Sequence, residues 1–332
     1  MYAEFLPESK EIDITEIEGF RIGQAENAEA ATGVTVILSE SGFPAGVDVR
    51  GGGPASRETE LLKPVANASA VHAVVLGGGS AFGLDAAGGV MQCLEEKNIG
   101  YDVGVTKVPL VVQSDIFDLT VGSKDVRPDK AMGYRACGNA FIGAKGNFVQ
   151  GNHGAGTGAS VGKLLGMNHA VKTGIGAYAL QIGELKVGAV VTVNAVGDVY
   201  DPVTGEIIAG AYDRENSVFL NTERLMAISA LKDSGMSDNT TIGAVITSAS
   251  FDKTKLCKIA SMAHNGLART INPVHTTADG DSIYALSVGS LEADINLVGT
   301  LAARVVAFAV RNAVLSAESA HGLPSAKSIR KC

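Results

Sequence analysis

Short apolar runs rich in β-branched residues recur along the chain, and between them lie stretches whose apolar positions return at helical spacing. GVTVIL (33–38), HAVVLG (72–77), VGAVVTVNAV (187–196), TIGAVITS (241–248) and SIYALSVG (282–289) read as strands. Residues 81–97, 128–142, 253–268 and 292–318 read as helices. Within 253–268, Leu256, Ile259, Ala260, Ala263 and Leu267 mark a single apolar face. Several strands are apolar throughout instead of alternating, so both of their faces are expected to be covered. Sheets packed between helix layers, an α/β architecture, satisfy that pattern. The polar stretch LKDSGMSDN, ending at residue 239, is expected to be an exposed loop. Immediately after it two threonines open a strand.

Composition narrows the class without naming a chemistry. With 46% apolar and 19% charged residues over 332 positions, the chain is globular and has ample core for one large domain or two smaller ones. A net charge of −8 and the lack of a basic run argue against nucleic acid or an anionic membrane as partner. Cys93, Cys137, Cys257 and Cys332 stand far apart, with no C-x-x-C and no ligand-like spacing to histidine. Neither a disulfide scaffold nor a metal site is expected, and reduced thiols in a cytoplasmic protein are. The first twenty residues are acidic and lack an apolar core, so they are not read as a signal peptide. INLVGTLAARVVAFAVRNAVL is interrupted by Asn296, Arg304, Arg311 and Asn312, which suits a buried helix better than a membrane span.

Two glycine-rich stretches invite a nucleotide-dependent reading and fail it on spacing. In LGGGSAFGLDAA (76–87) the third glycine of a dinucleotide fingerprint falls on Phe82. In GNHGAGTGASVGKLL (151–165) a phosphate loop requires Gly at 157 and Ser or Thr at 164, where Thr157 and Leu164 stand. Close backbone packing accounts for these glycines better. No serine triad is read from the sequence, and of the histidines only His275 lies beside other candidate groups.

The carboxylates near that histidine are more telling. Asp279-Gly280-Asp281 reads as an ordinary turn into the strand SIYALSVG, yet residues i and i+2 of an extended segment share a side. Two carboxylates then converge before a strand, where they can orient a nucleophile. Asn239-Thr240-Thr241 supplies one candidate. A threonine hydroxyl is a weak nucleophile until a base takes its proton. If the chain were cut before Thr240, the new α-amine, with a reference pKa of about 7.7–8.0, would be that base on the same residue.

These residues carry a resemblance over nearly the whole chain. GGGSAFGLDAA (77–87), RPDKAMG (127–133), GNHGAGTGASVGK (151–163), VNAVGDVYD (193–201), NTTIGAVIT (239–247) and HTTADGDSIYALS (275–287) together resemble the P1-family peptidases. These are N-terminal-nucleophile aminopeptidases and amidases that include L-aminopeptidase/D-esterase and the β-aminopeptidases. The likeness is greatest to the branch with 6-aminohexanoate-oligomer (nylon-oligomer) hydrolase, which uses threonine after asparagine and a D-G-D pair. Serine-type relatives look to have Ser and Glu where Asp279 and Asp281 stand.

The resemblance implies a four-layer αββα sandwich and self-cleavage between Asn239 and Thr240. The products would be an α chain, 1–239, and a β chain, 240–332, of one domain. It implies Thr240 as nucleophile, Asn194 as oxyanion donor, Lys163 as a cation lining the site, and Asp279 and Asp281 as the pair that positions the nucleophile. Phe117, standing where some relatives have tyrosine, is expected to line the substrate side with Gly78 and Ser80. No cofactor and no metal is implied. A small amide or peptide substrate is, together with assembly as a homo-oligomer, a tetramer of α/β heterodimers. A silent scaffold of the same fold remains the rival reading.

Overall fold

The computed structural model describes residues 6–143, 147–229 and 239–330. The polar stretch expected to form an exposed loop therefore lies outside the described residues, apart from Asn239. Eleven strands build two large sheets. In chain order they are β1 (Ser9–Ile12), β2 (Arg21–Asn27), β3 (Thr32–Phe43), β4 (Ala45–Val49), β5 (Ala55–Arg57) and β6 (Val71–Gly77). Then come β7 (Val111–Asp115), β8 (Ile175–Ile182), β9 (Leu185–Thr192), β10 (Ile242–Ala249) and β11 (Ser282–Leu291). One sheet has the order β2-β3-β6-β7-β5 and the other β1-β8-β9-β10-β11-β4. All neighbours are antiparallel except β6 with β7 and β10 with β11. The chain crosses between sheets at Pro44, since Phe43 pairs with Val71 and Ala45 with Leu286.

Helices α1 (Ala86–Glu96) and α2 (Lys130–Ala140) cover the first sheet, whereas α4 (Lys253–Thr270) and α5 (Ile295–Ser316) cover the second; a short α3 (Thr222–Ser229) lies outside both pairs. Aspartates start these helices. Asp129, Asp252 and Asp294 each accept an N–H of the first turn, from Met132, Lys255 and Leu297 at 2.8–2.9 Å. Residues 81–85 of the expected first helix form a tighter 3-10 turn before α1 begins, and the expected strand over 187–196 ends at Thr192.

Three apolar layers result. Ile22, Ile37, Leu76 and Val112 meet Ala179, Val190, Ile246 and Leu286 between the sheets. Val34, Val36, Val75 and Leu38 pack under α1 and α2, and Val187, Val191, Val245 and Ile283 under α4 and α5. Each central strand is buried on both faces, which is why its sequence shows no alternation. The stack is helices, sheet, sheet, helices. The polar interruptions of α5 have protein partners: Arg311 bonds Asp201 at 2.8 Å and Asn312 donates to the Ala177 carbonyl. That helix is the buried one expected from its sequence.

Candidate active site

Strand pairing builds the site. In the parallel pair β10–β11, Ile242 stands opposite Ser282, and the same register continues upstream to a bridge between Asn239 and Asp279. The Asn239-Thr240-Thr241 segment is therefore laid against Asp279-Gly280-Asp281. All six residues are buried. Asp281 Oδ1 accepts the Thr241 N–H at 2.7 Å, and its Oδ2 accepts the His275 N–H at 3.1 Å. The His275 imidazole Nδ1 completes that carboxylate at 2.8 Å. Asp279 Oδ2 takes the Thr276 N–H and hydroxyl at 2.9 and 2.6 Å; the Val196 N–H also faces this carboxylate, but Oδ1 closes no full hydrogen bond among the described residues. The two carboxylates thus orient the backbone around Thr240 rather than converging on one point. Burial, reinforced by the charge of Asp281, raises the pKa of Asp279 above the usual carboxylate value.

Thr240 itself is held through its peptide. Its N–H donates to the Asn194 carbonyl at 3.0 Å, and its hydroxyl donates to the Asn239 carbonyl oxygen. Asn194 follows the end of β9, the antiparallel neighbour of β10. Its side chain has an unambiguous orientation, because Oδ1 faces two donors and Nδ2 faces an acceptor. Oδ1 accepts from Lys163 Nζ at 2.8 Å and from the Ser160 N–H at 3.1 Å, and Nδ2 donates to the Phe117 carbonyl at 3.0 Å. One amide proton of Asn194 is thereby used, and among the described residues the other makes no hydrogen bond.

Lys163 is buried between acidic neighbours. Burial pulls its pKa down to about 7, against the pull of Asp279 and Asp118. It is a full cation only below neutrality. Phe117 enters the site through its backbone. Gly78 and Ser80 join one step further out, through the 116–118 segment: the Ser80 N–H donates to the Ile116 carbonyl at 2.9 Å and the Gly79 N–H to Asp118 Oδ1 at 2.7 Å.

The glycine-rich stretches prove to be packing elements. A Cβ on Gly78 would lie 2.0 Å from Asp118 Oδ2 and 2.5 Å from Thr32 Oγ1. The loop that would have to cradle a phosphate faces a carboxylate instead. The second stretch wraps the buried Lys172, whose ammonium donates to the carbonyls of Gly156, Ala159 and Thr173. Carbonyls turned toward a cation are the opposite of a phosphate cradle. Among the described residues, no group of three or more His, Cys, Asp or Glu is placed to hold a metal ion.

Three contributors escape the sequence reading. Asp118, held by the Thr32 hydroxyl at 2.8 Å and the Gly79 N–H, has its pKa pushed up to about 6, mainly by burial. Thr276 anchors Asp279. His275, noted in the sequence only as a neighbour of the carboxylates, clamps Asp281 and packs edge-on against His264 with ring centroids 4.8 Å apart. The HTTADGD spelling contains both partners, but only the turn geometry, with His275 at φ +59°, shows that they meet.

The sequence profile of peptidase family S58 matches residues 13–327. An uncharacterized aminopeptidase of Mycobacterium leprae is 39% identical over 342 aligned positions, covering 94% of this chain and 92% of the relative. The 6-aminohexanoate-oligomer endohydrolase of Paenarthrobacter ureafaciens is 33% identical over 280 positions, covering 82% of this chain and 74% of the enzyme. Among solved structures, the L-aminopeptidase D-Ala-esterase/amidase of Ochrobactrum anthropi, described as a variant of the Ntn hydrolase fold, superposes with a TM-score of 0.68 at 18% identity. That match covers 96% of this chain and 91% of the other. A Burkholderia β-aminopeptidase gives 0.67 at 21%, covering 96% and 92%. The chain belongs to peptidase family S58, has the Ntn-hydrolase fold, and is a hydrolase acting on amide or peptide bonds.

Proposed function

We propose that this S58 hydrolase cleaves itself between Asn239 and Thr240 and then uses Thr240 as an N-terminal nucleophile. One observation carries the reading. The register of β10 and β11 sets the Asn239–Thr240 peptide against the Asp279–Asp281 turn, with the Thr240 hydroxyl donating to the carbonyl it would attack. After cleavage the freed α-amine takes the hydroxyl proton, and Thr240 Oγ1 attacks the substrate carbonyl. The second amide proton of Asn194 stabilises the resulting oxyanion. Asp281 keeps the segment in place through Thr241. The open Oδ1 of Asp279 accepts an ammonium group, either that of Thr240 or the free amine of a substrate.

This machinery suits small amides with a free amino group: amino-acid amides and anilides, short peptides, or ω-amino-acid oligomers such as linear 6-aminohexanoate oligomers. Residues 1–239 and 240–332 would be the α and β chains of one domain, assembled into a cytoplasmic homo-oligomer. A panel of such amides, assayed with cleaved enzyme and with Thr240→Ala as blank, tests the reading. Turnover is expected to persist in EDTA and to rise with pH as the Thr240 amine loses its proton, near its reference value of about 7.7–8.0. Cleaved protein that hydrolyses nothing above the blank would make the chain a silent scaffold.

A further inference from the structure

A backbone donor is already aimed at the carbonyl that self-cleavage would attack. The Gly280 N–H donates to the Asn239 oxygen at 2.9 Å, within the range of well-formed hydrogen bonds. The bridge between Asn239 and Asp279 places Gly280 opposite the Asn239–Thr240 peptide. At the other end of that peptide the Thr240 N–H is held by the Asn194 carbonyl at 3.0 Å. The peptide is gripped at both its oxygen and its nitrogen.

We infer that the Gly280 backbone amide is the oxyanion donor for self-cleavage, separate from the Asn194 side chain that serves substrate hydrolysis. The inference rests on Thr240 being the nucleophile. Thr240 Oγ1 bonds to the Asn239 carbonyl carbon while its proton passes to the departing Thr240 nitrogen, and the carbonyl π pair moves onto the Asn239 oxygen. Collapse breaks the carbon–nitrogen bond and leaves the Asn239 acyl group as an ester on Oγ1. Water hydrolyses the ester to the Asn239 carboxylate and a free Thr240 hydroxyl. Negative charge develops on the oxygen that Gly280 already faces, so the donor is preorganised.

Attack from the adjacent residue closes a five-membered ring through the Thr240 N, Cα, Cβ and Oγ1 and the Asn239 carbon. That ring ties the oxyanion to Gly280. A substrate carbonyl lies outside any such ring, which leaves its oxygen free to meet Asn194. Glycine is also required sterically: a Cβ at position 280 would stand 2.7 Å from Thr240 Oγ1 and 2.8 Å from the Gly53 carbonyl.

Cell-free translation with glycolic acid at position 280 replaces the amide by an ester, which removes the N–H and weakens the Asp279 carbonyl that accepts from Gly53 N–H. The rate at which residues 1–239 and 240–332 appear, read by mass spectrometry, should fall on the order of 10²–10³-fold against the normal chain. The comparison is a glycolate at Gly53, whose N–H donates to the Asp279 carbonyl at the same 2.9 Å; cleavage there should slow by less than ~10-fold, the loss of one ordinary hydrogen bond. Equal cleavage of the 280 ester and the normal chain overturns this inference alone, as does equal slowing by the two esters. A normal chain that never cleaves overturns the Thr240 reading with it. A crystal structure of the uncleaved Thr240→Ala chain decides independently of how the esters fold. An Asn239 oxygen within about 3.2 Å of Gly280 N upholds the donor, and a carbonyl turned away overturns it.

Discussion

Each sheet contains one parallel strand pair, and two buried aspartates lie at an end of each. In the five-stranded sheet, Asp115 closes β7 opposite Gly77, and Asp118 follows three residues on. In the six-stranded sheet, Asp279 and Asp281 precede β11 opposite Asn239 and Thr241. Both pairs are removed from water, and Asp115, Asp118 and Asp279 are all pushed toward their neutral forms, chiefly by burial. Lys163 feels one member of each pair, Asp118 and Asp279. What separates them is what they hold. Asp118 holds the N–H of Gly79 and the hydroxyl of Thr32, groups with no reactive atom. Asp279 and Asp281 hold the turn and strand around a hydroxyl that donates to its own preceding carbonyl. A buried carboxylate pair is a device for fixing backbone, and its chemistry is set by the residue on the fixed backbone.

The largest expected difference between the two regions comes from the nucleophile. Thr240→Ala should stay full length under denaturing mass spectrometry and hydrolyse no amide. Thr241→Ala, which loses a hydroxyl but keeps the N–H that Asp281 grips, should still be cleaved at least in part. A Thr240→Ala chain that splits normally would break the contrast between the aspartate pairs altogether.

Asn194, which bonds toward both regions, comes next. Removing an oxyanion donor typically costs on the order of 10²–10³ in turnover. Asn194→Ala should therefore fold, bind substrate with little change in KM, and lose most of kcat. Unchanged kcat in the folded variant would return Asn194 to the role of a spacer between Lys163 and Phe117.

Exchanging one carboxylate in each pair sharpens the comparison. Asp281→Asn turns an amide donor toward His275, whose two N–H groups need an acceptor. Bonds to a carboxylate contribute about 1.5–3 kcal/mol each, so self-cleavage should slow by roughly 10–100-fold. Asp118→Asn should change that rate by less than about fivefold, under 1 kcal/mol. Equal effects would make the two pairs equivalent.

The last test reads stability instead of rate, as a pH signature of the Asp118 pair. With its pKa raised to about 6, Asp118 binds its proton more tightly folded than unfolded. Its contribution is fully present below about pH 3.9 and is lost as pH rises through 6. The shift corresponds to roughly 3 kcal/mol. Urea denaturation at pH 4 and pH 7 should show a larger drop in stability for the normal chain than for Asp118→Asn. Parallel behaviour of the two would mean that Asp118 titrates at its ordinary value.

Hydrophobic periodicity was enough to place the interior strands β3, β6, β9, β10 and β11, though not β7 and β8, together with all four packing helices and the burial of both strand faces, because those patterns are local. Asn-Thr-Thr and Asp-Gly-Asp are legible for the same reason: each packs a reactive arrangement into three residues. The glycine-rich stretches show the limit, since spacing could reject a phosphate loop but could not reveal that Asp118 and Lys172 fill the spaces. His275, Asp118 and the Gly280 N–H owe their places to turn geometry and to pairings between segments far apart in the chain. Only the tertiary structure decided the β10–β11 register that puts residue 240 beside residue 280, because parallel strands are joined by long connections that carry no register signal. It also decided the direction in which the pKa values of Lys163, Asp118 and Asp279 move, since desolvation depends on what the rest of the fold packs around a charge.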